Sequence, residues 1–125
     1  MFLNCNTDEN DDKCERSFVK EAERSVKEIE FGVKYAQVSN ILEKNDLIAF
    51  INIRSLEDQM CCVELNLGGY LIVSREFDTI DKNLREENIL KRKNHYETIE
   101  SLMFNFSPMF AKIFNELVCE KLKFY

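Results

Sequence analysis

Apolar residues recur at intervals of three and four from Phe18 through Ala22, Val26, Ile29, Val33 and Ala36. That spacing lines one face of a helix. Phe31, Tyr35 and Val38 fall on the opposite side, so the pattern predicts an N-terminal helix that is apolar on more than one face. Ser17 is placed to cap its start, and Gly32 weakens it slightly. Between Asp46 and Arg75 the period drops to two. DLIAFINIR, QMCCVELNL and YLIVSREF are rich in β-branched and aromatic residues and are separated by LED and by Gly68-Gly69. This predicts a three-stranded antiparallel meander with a hairpin turn at the two glycines. A short segment near Val38 to Leu42 is a candidate fourth strand. From Asp78 to Asn94, Ile80, Leu84, Ile89 and Leu90 are scattered among charges, predicting a short helix or turn and then a polar excursion.

Helical spacing returns at Tyr96, Ile99, Leu102, Met103 and Phe106, and is interrupted by Ser107-Pro108. Serine accepts bonds from the free N–H groups of a helix's first turn. Proline suits the first helical position, where its missing N–H is not needed. One helix therefore ends here and a last one begins. The fold class is α+β: an N-terminal helix, a meander of three to four strands, and two C-terminal helices packed on the sheet.

Around the last helix, at 100° per residue, Ile113, Phe110 and Leu117 occupy one flank and Phe114, Val118, Leu122 and Tyr125 the adjoining one. A docked helix buries a stripe only about 100° wide. Either another helix covers the second flank, or that flank is a row of anchors for an apolar groove on a partner.

Composition narrows the chemistry. A chain of 125 residues is sized for one core. Residues 4–13 are almost all polar or charged, which predicts a disordered acidic tail over 1–16 ahead of a single domain over 17–125. The carboxylates of the tail lack the glycine and terminal glutamate of a calcium loop. A net charge of -6 opposes nucleic acid, and Lys91-Arg92-Lys93 reads as a solvated connection. No apolar run is long enough to span a membrane, and the N-terminus has no secretory pattern. The five cysteines, at 5, 14, 61, 62 and 119, contain no C-x-x-C pair. They predict neither zinc nor a disulfide framework, and a cytoplasmic or nuclear location. Cys61 and Cys62, adjacent in a strand, should face opposite ways.

Nothing in the sequence predicts catalysis or a cofactor. The one histidine, His95, follows a lysine-rich stretch with no metal-ligand spacing around it, and no phosphate-cradling glycine motif occurs. Carboxylate pairs such as Glu86-Glu87 lie in solvated sequence, where nothing raises a pKa.

Three strings, AERSVKEIEFGVKYAQVS, DLIAFINIRSLEDQMCCVELNLGGYLIVSREFDTIDKNL and YETIESLMFNFSPMFAKIFNELVCEKL, resemble the glycogen synthase kinase-3 beta interaction protein family, in the same order. The domain is also similar to one within clustered-mitochondria proteins. The resemblance implies a non-enzymatic adaptor that binds glycogen synthase kinase-3, in Wnt-type signalling, through a last helix similar to the kinase-binding helix of axin. Its contact positions correspond here to Phe114, Val118, Leu122 and Tyr125. Val118 stands where the family has leucine. Lys121 stands where it carries arginine, which replaces a bidentate group with a point charge. Four such anchors are worth about 1.5 to 3 kcal/mol each against an association cost of roughly 4 to 15 kcal/mol, which sets micromolar affinity as the expectation.

The resemblance implies a second partner, the regulatory subunit of cyclic-AMP-dependent protein kinase (protein kinase A), on the N-terminal helix at Val26, Ile29 and Val33. Glu30 occupies a position where leucine is expected, and burying an unpaired carboxylate is costly. Packing of those three residues on the sheet is the simpler expectation. Self-association through the apolar flank of the last helix is the remaining alternative.

Overall fold

The computed structural model describes residues 17–122. The acidic segment 1–16 and the last three residues, Tyr125 among them, lie outside the described residues. Ser17 caps helix α1 (Phe18–Ile29), its hydroxyl accepting from the Val19 N–H at 3.1 Å. Ala22, Ser25 and Ile29 form the buried face of the helix. The helix does not run on to Ala36. It closes in a 3₁₀ turn, Glu30–Gly32, and the chain reverses into strand β1 (Val33–Val38). Ile29, Val33 and Ala36 fit helical spacing, but Val33, Ala36 and Val38 equally fit the inner face of a strand once the register shift between Val33 and Tyr35 is counted. Gly32 decides the matter. A Cβ there would stand 2.6 Å from Cδ2 of Phe110, so the turn exists where a ring from the far end of the chain lies against bare backbone.

Strands β2 (Ala49–Ser55), β3 (Met60–Asn66) and β4 (Gly69–Ser74) complete an antiparallel sheet in the order β1-β2-β3-β4. The fourth strand is thus 33–38 rather than 38–42. Ser39 ends it, its hydroxyl accepting from the N–H groups of Ile41 and Leu42 at 3.2 and 3.0 Å. The β3–β4 hairpin turns through Leu67 and Gly68, one residue earlier than the Gly-Gly pair suggests, because Asn66 pairs with Gly69. Gly69 has φ +110°, and a Cβ there would lie 2.3 Å from the Tyr96 carbonyl oxygen. That close approach lets Tyr70 and Tyr96 exchange two backbone hydrogen bonds, at 2.7 and 2.9 Å, along the outer border of β4.

Each face of the sheet has its own cover. Ile51, Ile53, Cys61, Val63, Leu65 and Tyr70 form the larger core with α1, helix α3 (Ile99–Phe106) and the first turns of helix α4 (Pro108–Leu122). Phe50, Cys62, Leu71 and Val73 form the smaller core, flanked by Leu42 and Ile48. Cys61 and Cys62 therefore do face opposite ways, and both are buried. Burial pushes their thiols up, to about 12 and about 11, so they behave as apolar filler.

Helix α2 (Lys82–Leu90), a segment without an assigned role in the sequence pattern, buries none of its residues and is held on the second face by polar bonds. Arg85 donates to both oxygens of the buried Glu64 at 2.7 and 3.0 Å, and Asn66 donates to the same carboxylate at 2.7 Å. Asn88 donates to the Ile72 carbonyl at 2.9 Å, and the Asp81 N–H to that of Val73 at 2.8 Å. Burial would raise the Glu64 carboxyl, but the bonds from Arg85 and Asn66 and the guanidinium charge outweigh it and hold it below the ordinary carboxylate value.

The stability contributed by Glu64 is therefore present above the unfolded carboxyl pKa and fades as pH falls through the lower folded value. Arg85→Met should cost about 2 kcal/mol at neutral pH in chemical denaturation, less than a fully enclosed pair because the Arg85 side chain is 36% exposed. Its deficit relative to the parent should shrink on acidification. A deficit independent of pH would show that the ion pair is not what holds α2.

Candidate partner-binding helix

Two anchors fix the start of α4. Ser107 is fully buried and caps the helix as its sequence predicts, its hydroxyl accepting from the Phe110 N–H at 3.1 Å. The same hydroxyl donates to one oxygen of Glu57 at 2.8 Å, while the other oxygen of Glu57 accepts from the Met109 N–H at 2.8 Å. Glu57 belongs to the β2–β3 turn. It supplies a carboxylate where the N–H groups and the dipole of α4 favour negative charge. Nothing local in the sequence signals this contact, which joins residues about fifty positions apart. The second anchor is Phe110, fully buried in the larger core. Phe31 and Phe104 approach it with ring centroids at 5.0 and 5.9 Å, and Phe114 follows at 6.3 Å.

Beyond Phe114 the helix leaves the domain. Every described residue from Asn115 to Leu122 is exposed. Leu117 is 41%, Val118 40% and Leu122 65% accessible. The expectation of one inner and one outer flank is thus replaced by a division along the axis. Phe110 is buried and Phe114 half-buried, and Leu117, placed on the inner flank by the wheel, is as open as Val118. Lys121 is exposed beside these apolar groups, and Tyr125 lies outside the described residues.

The N-terminal candidates are not gathered on one helical face. Val26 is half-buried on α1, Ile29 is fully buried, and Val33 lies in β1 opposite Ser55. All three pack on the larger core. Glu30, in the 3₁₀ turn, is exposed. His95 is half-buried, with Nε2 3.3 Å from the Ile89 carbonyl oxygen. Among the described residues no group of three His, Cys, Asp or Glu side chains could hold a metal ion, and no helix is long and apolar enough to cross a membrane.

A four-stranded meander with helices before and after it, the last of them leaving the body of the domain, defines a small α+β domain. Residues 18–124 match the family model of the GSKIP domain, and the chain belongs to that family. It is 29% identical over 131 residues to the GSK3-beta interaction protein of Gallus gallus, covering 98% of this chain and 89% of that protein. It is 30% identical over 103 residues to the GSK3B-interacting protein of Homo sapiens, covering 82% and 69%. The Protein GSKIP homolog of Drosophila melanogaster is 31% identical over 94 residues, covering 75% of each chain.

The external cap supports a test. Burial would raise the Glu57 carboxyl, but its bonds from the Met109 N–H and from Ser107 outweigh that and leave it lowered from 4.5. The contribution of the cap is accordingly complete above that value and is lost as pH falls through the lower folded one. Glu57→Ala should remove about 1 kcal/mol of stability at neutral pH. It should also speed hydrogen exchange at the Met109 amide while leaving the sheet amides protected. Unchanged exchange at Met109 would mean that Ser107 alone suffices as cap.

Proposed function

We propose that this protein is a non-catalytic adaptor that binds glycogen synthase kinase-3, the partner named in its relatives, through α4. One observation carries the reading: the last two turns of α4 stand clear of the domain while carrying Leu117, Val118 and Leu122, each at least 40% exposed. Large apolar side chains grouped on a helix that the fold does not cover are suited to an apolar groove on another protein. The helix is also ordered before binding, because Ser107, Glu57 and Phe110 fix its root. That arrangement reduces the ordering cost of association.

Phe114, Val118 and Leu122 follow one another at intervals of four, and Tyr125 extends the row by three. In this reading they enter the groove, and Lys121 adds a point charge at its rim. Occupying the groove excludes axin-like helices, so the adaptor modulates or inhibits the kinase in Wnt-type signalling by competition.

Leu122→Ala tests this. The residue is 65% exposed, so the monomer should melt at the parental temperature. Affinity for the kinase, measured by calorimetry, should fall about tenfold, as expected for an anchor that loses most of its apolar side chain. Parental affinity in the well-folded variant would remove α4 from the interface.

A further inference from the structure

The β2–β3 turn, with Glu57, holds the root of α4, and the antiparallel order puts the β1–β2 loop and the β3–β4 turn at the opposite end of the sheet. That far end carries a cleft of about 960 Å³, in which Phe18 and Tyr70 are joined by Leu47 and Leu67 from the two loops. Leu67 is 88% and Leu47 67% exposed. A neighbouring asparagine fixes each loop: Asn45 Oδ1 accepts from the Leu47 N–H and Asn66 Oδ1 from the Gly68 N–H, both at 2.7 Å. Glu21, Asp46 and Glu97 also border the cleft, against one base, Arg24. Such a site is complementary to an apolar side chain accompanied by basic ones.

The chain itself carries a segment of that chemistry. Leu90, the last residue of α2, is 82% exposed and is followed by Lys91-Arg92-Lys93. Lys91 is tied to Glu87 at 3.1 Å, whereas the side chains of Arg92 and Lys93 are exposed and bond to no described residue. His95 places this segment beside the cleft. Its Nε2 lies 3.3 Å from the Ile89 carbonyl oxygen, and its Nδ1 would stand 3.4 Å from a Cβ on Gly68, a residue of the cleft wall. At its exposure Leu90 does not fill the cleft of its own chain.

Exposed leucines scattered singly need no explanation. Here two border an acidic cleft, and a third stands next to unpaired cations on the same end of the molecule. We infer that this protein self-associates through that end, residues 90–93 of each copy seated in the cleft of the other. Because segment and cleft lie side by side, two copies set end to end about a two-fold axis make the contact twice, and the pair closes. Leu90 of one copy enters between Leu47 and Leu67 of the other, with Arg92 and Lys93 towards the carboxylates at the rim. The inference is independent of α4, which stays free at the opposite end of each copy.

Sedimentation equilibrium of the full chain should give a mass that rises with concentration towards that of two chains. The association should weaken in high salt, since its charges lie at an exposed rim. Leu90→Ser should weaken it about tenfold, the loss expected when a buried leucine contact is removed. Arg92→Glu with Lys93→Glu makes the segment acidic, and Asp46→Lys with Glu97→Lys makes the cleft basic. All four side chains are exposed, so both double variants should melt at the parental temperature. Each alone should sediment as a monomer, because like charges then meet at both contacts. An equimolar mixture of the two should dimerise, because both contacts again join opposite charges. A parent that stays monomeric up to millimolar concentration, or a mixture that does, would overturn the inference. So would a dimer that survives Leu90→Ser and both reversals but is lost on Leu122→Asp, which would place the contact on α4.

Discussion

The contact between the Phe110 ring and the bare backbone of Gly32 organises the molecule. It ends α1 in a tight turn and releases the chain into the border strand of the sheet. It also pins the first turn of α4 to the larger core. With a side chain at position 32 the ring would have to move, and the direction of the last helix would change with it. Phe31 and Phe104 enclose the same ring, and Ser107 and Glu57 secure the backbone just ahead of it. Close packing at one point thus sets the geometry of a surface that begins one helical turn later.

The division of α4 along its length follows from that pinning. A helix packed on a sheet along its whole length hides a stripe on one side, whereas a helix held only at its root hides everything near the root and nothing near the tip. The second arrangement keeps the apolar groups of the free turns in water. It is sustainable because a helix satisfies its own backbone hydrogen bonds and needs no neighbour for them. The cost falls on side chains alone.

Local chemistry was legible in the sequence, and distant contacts were not. Ser17 and Ser107-Pro108 act only on the turns beside them, and both mark helix starts as read. Alternation in QMCCVELNL likewise assigned Cys61 and Cys62 to opposite faces, because strand periodicity is a property of the strand itself. The end of α1 was misread because Ile29, Val33 and Ala36 satisfy helical spacing and strand alternation at once. Only Phe110, almost eighty residues away, resolves the ambiguity. Glu57 and Arg85 were missed for a related reason. Their partners, Ser107 and Glu64, lie about fifty and twenty positions away, and charged residues in polar stretches look like solvated surface until the fold closes. On the candidate helix the identity of the apolar positions was plain. Which of them the domain covers depended on where the body ends, and no period encodes that.

The two borders of the sheet give the exposed helix its context. Tyr96, Asn88 and Asp81 occupy the backbone groups along β4. β1 carries Lys34, tied to Asp58, together with an irregular register. Both are ways in which sheets resist edge-to-edge growth. The exposed apolar side chains of α4 instead sit on an element whose backbone groups are already paired and which offers no edge for strand pairing. Greasy side chains can thus stand in water without giving the sheet a place to grow.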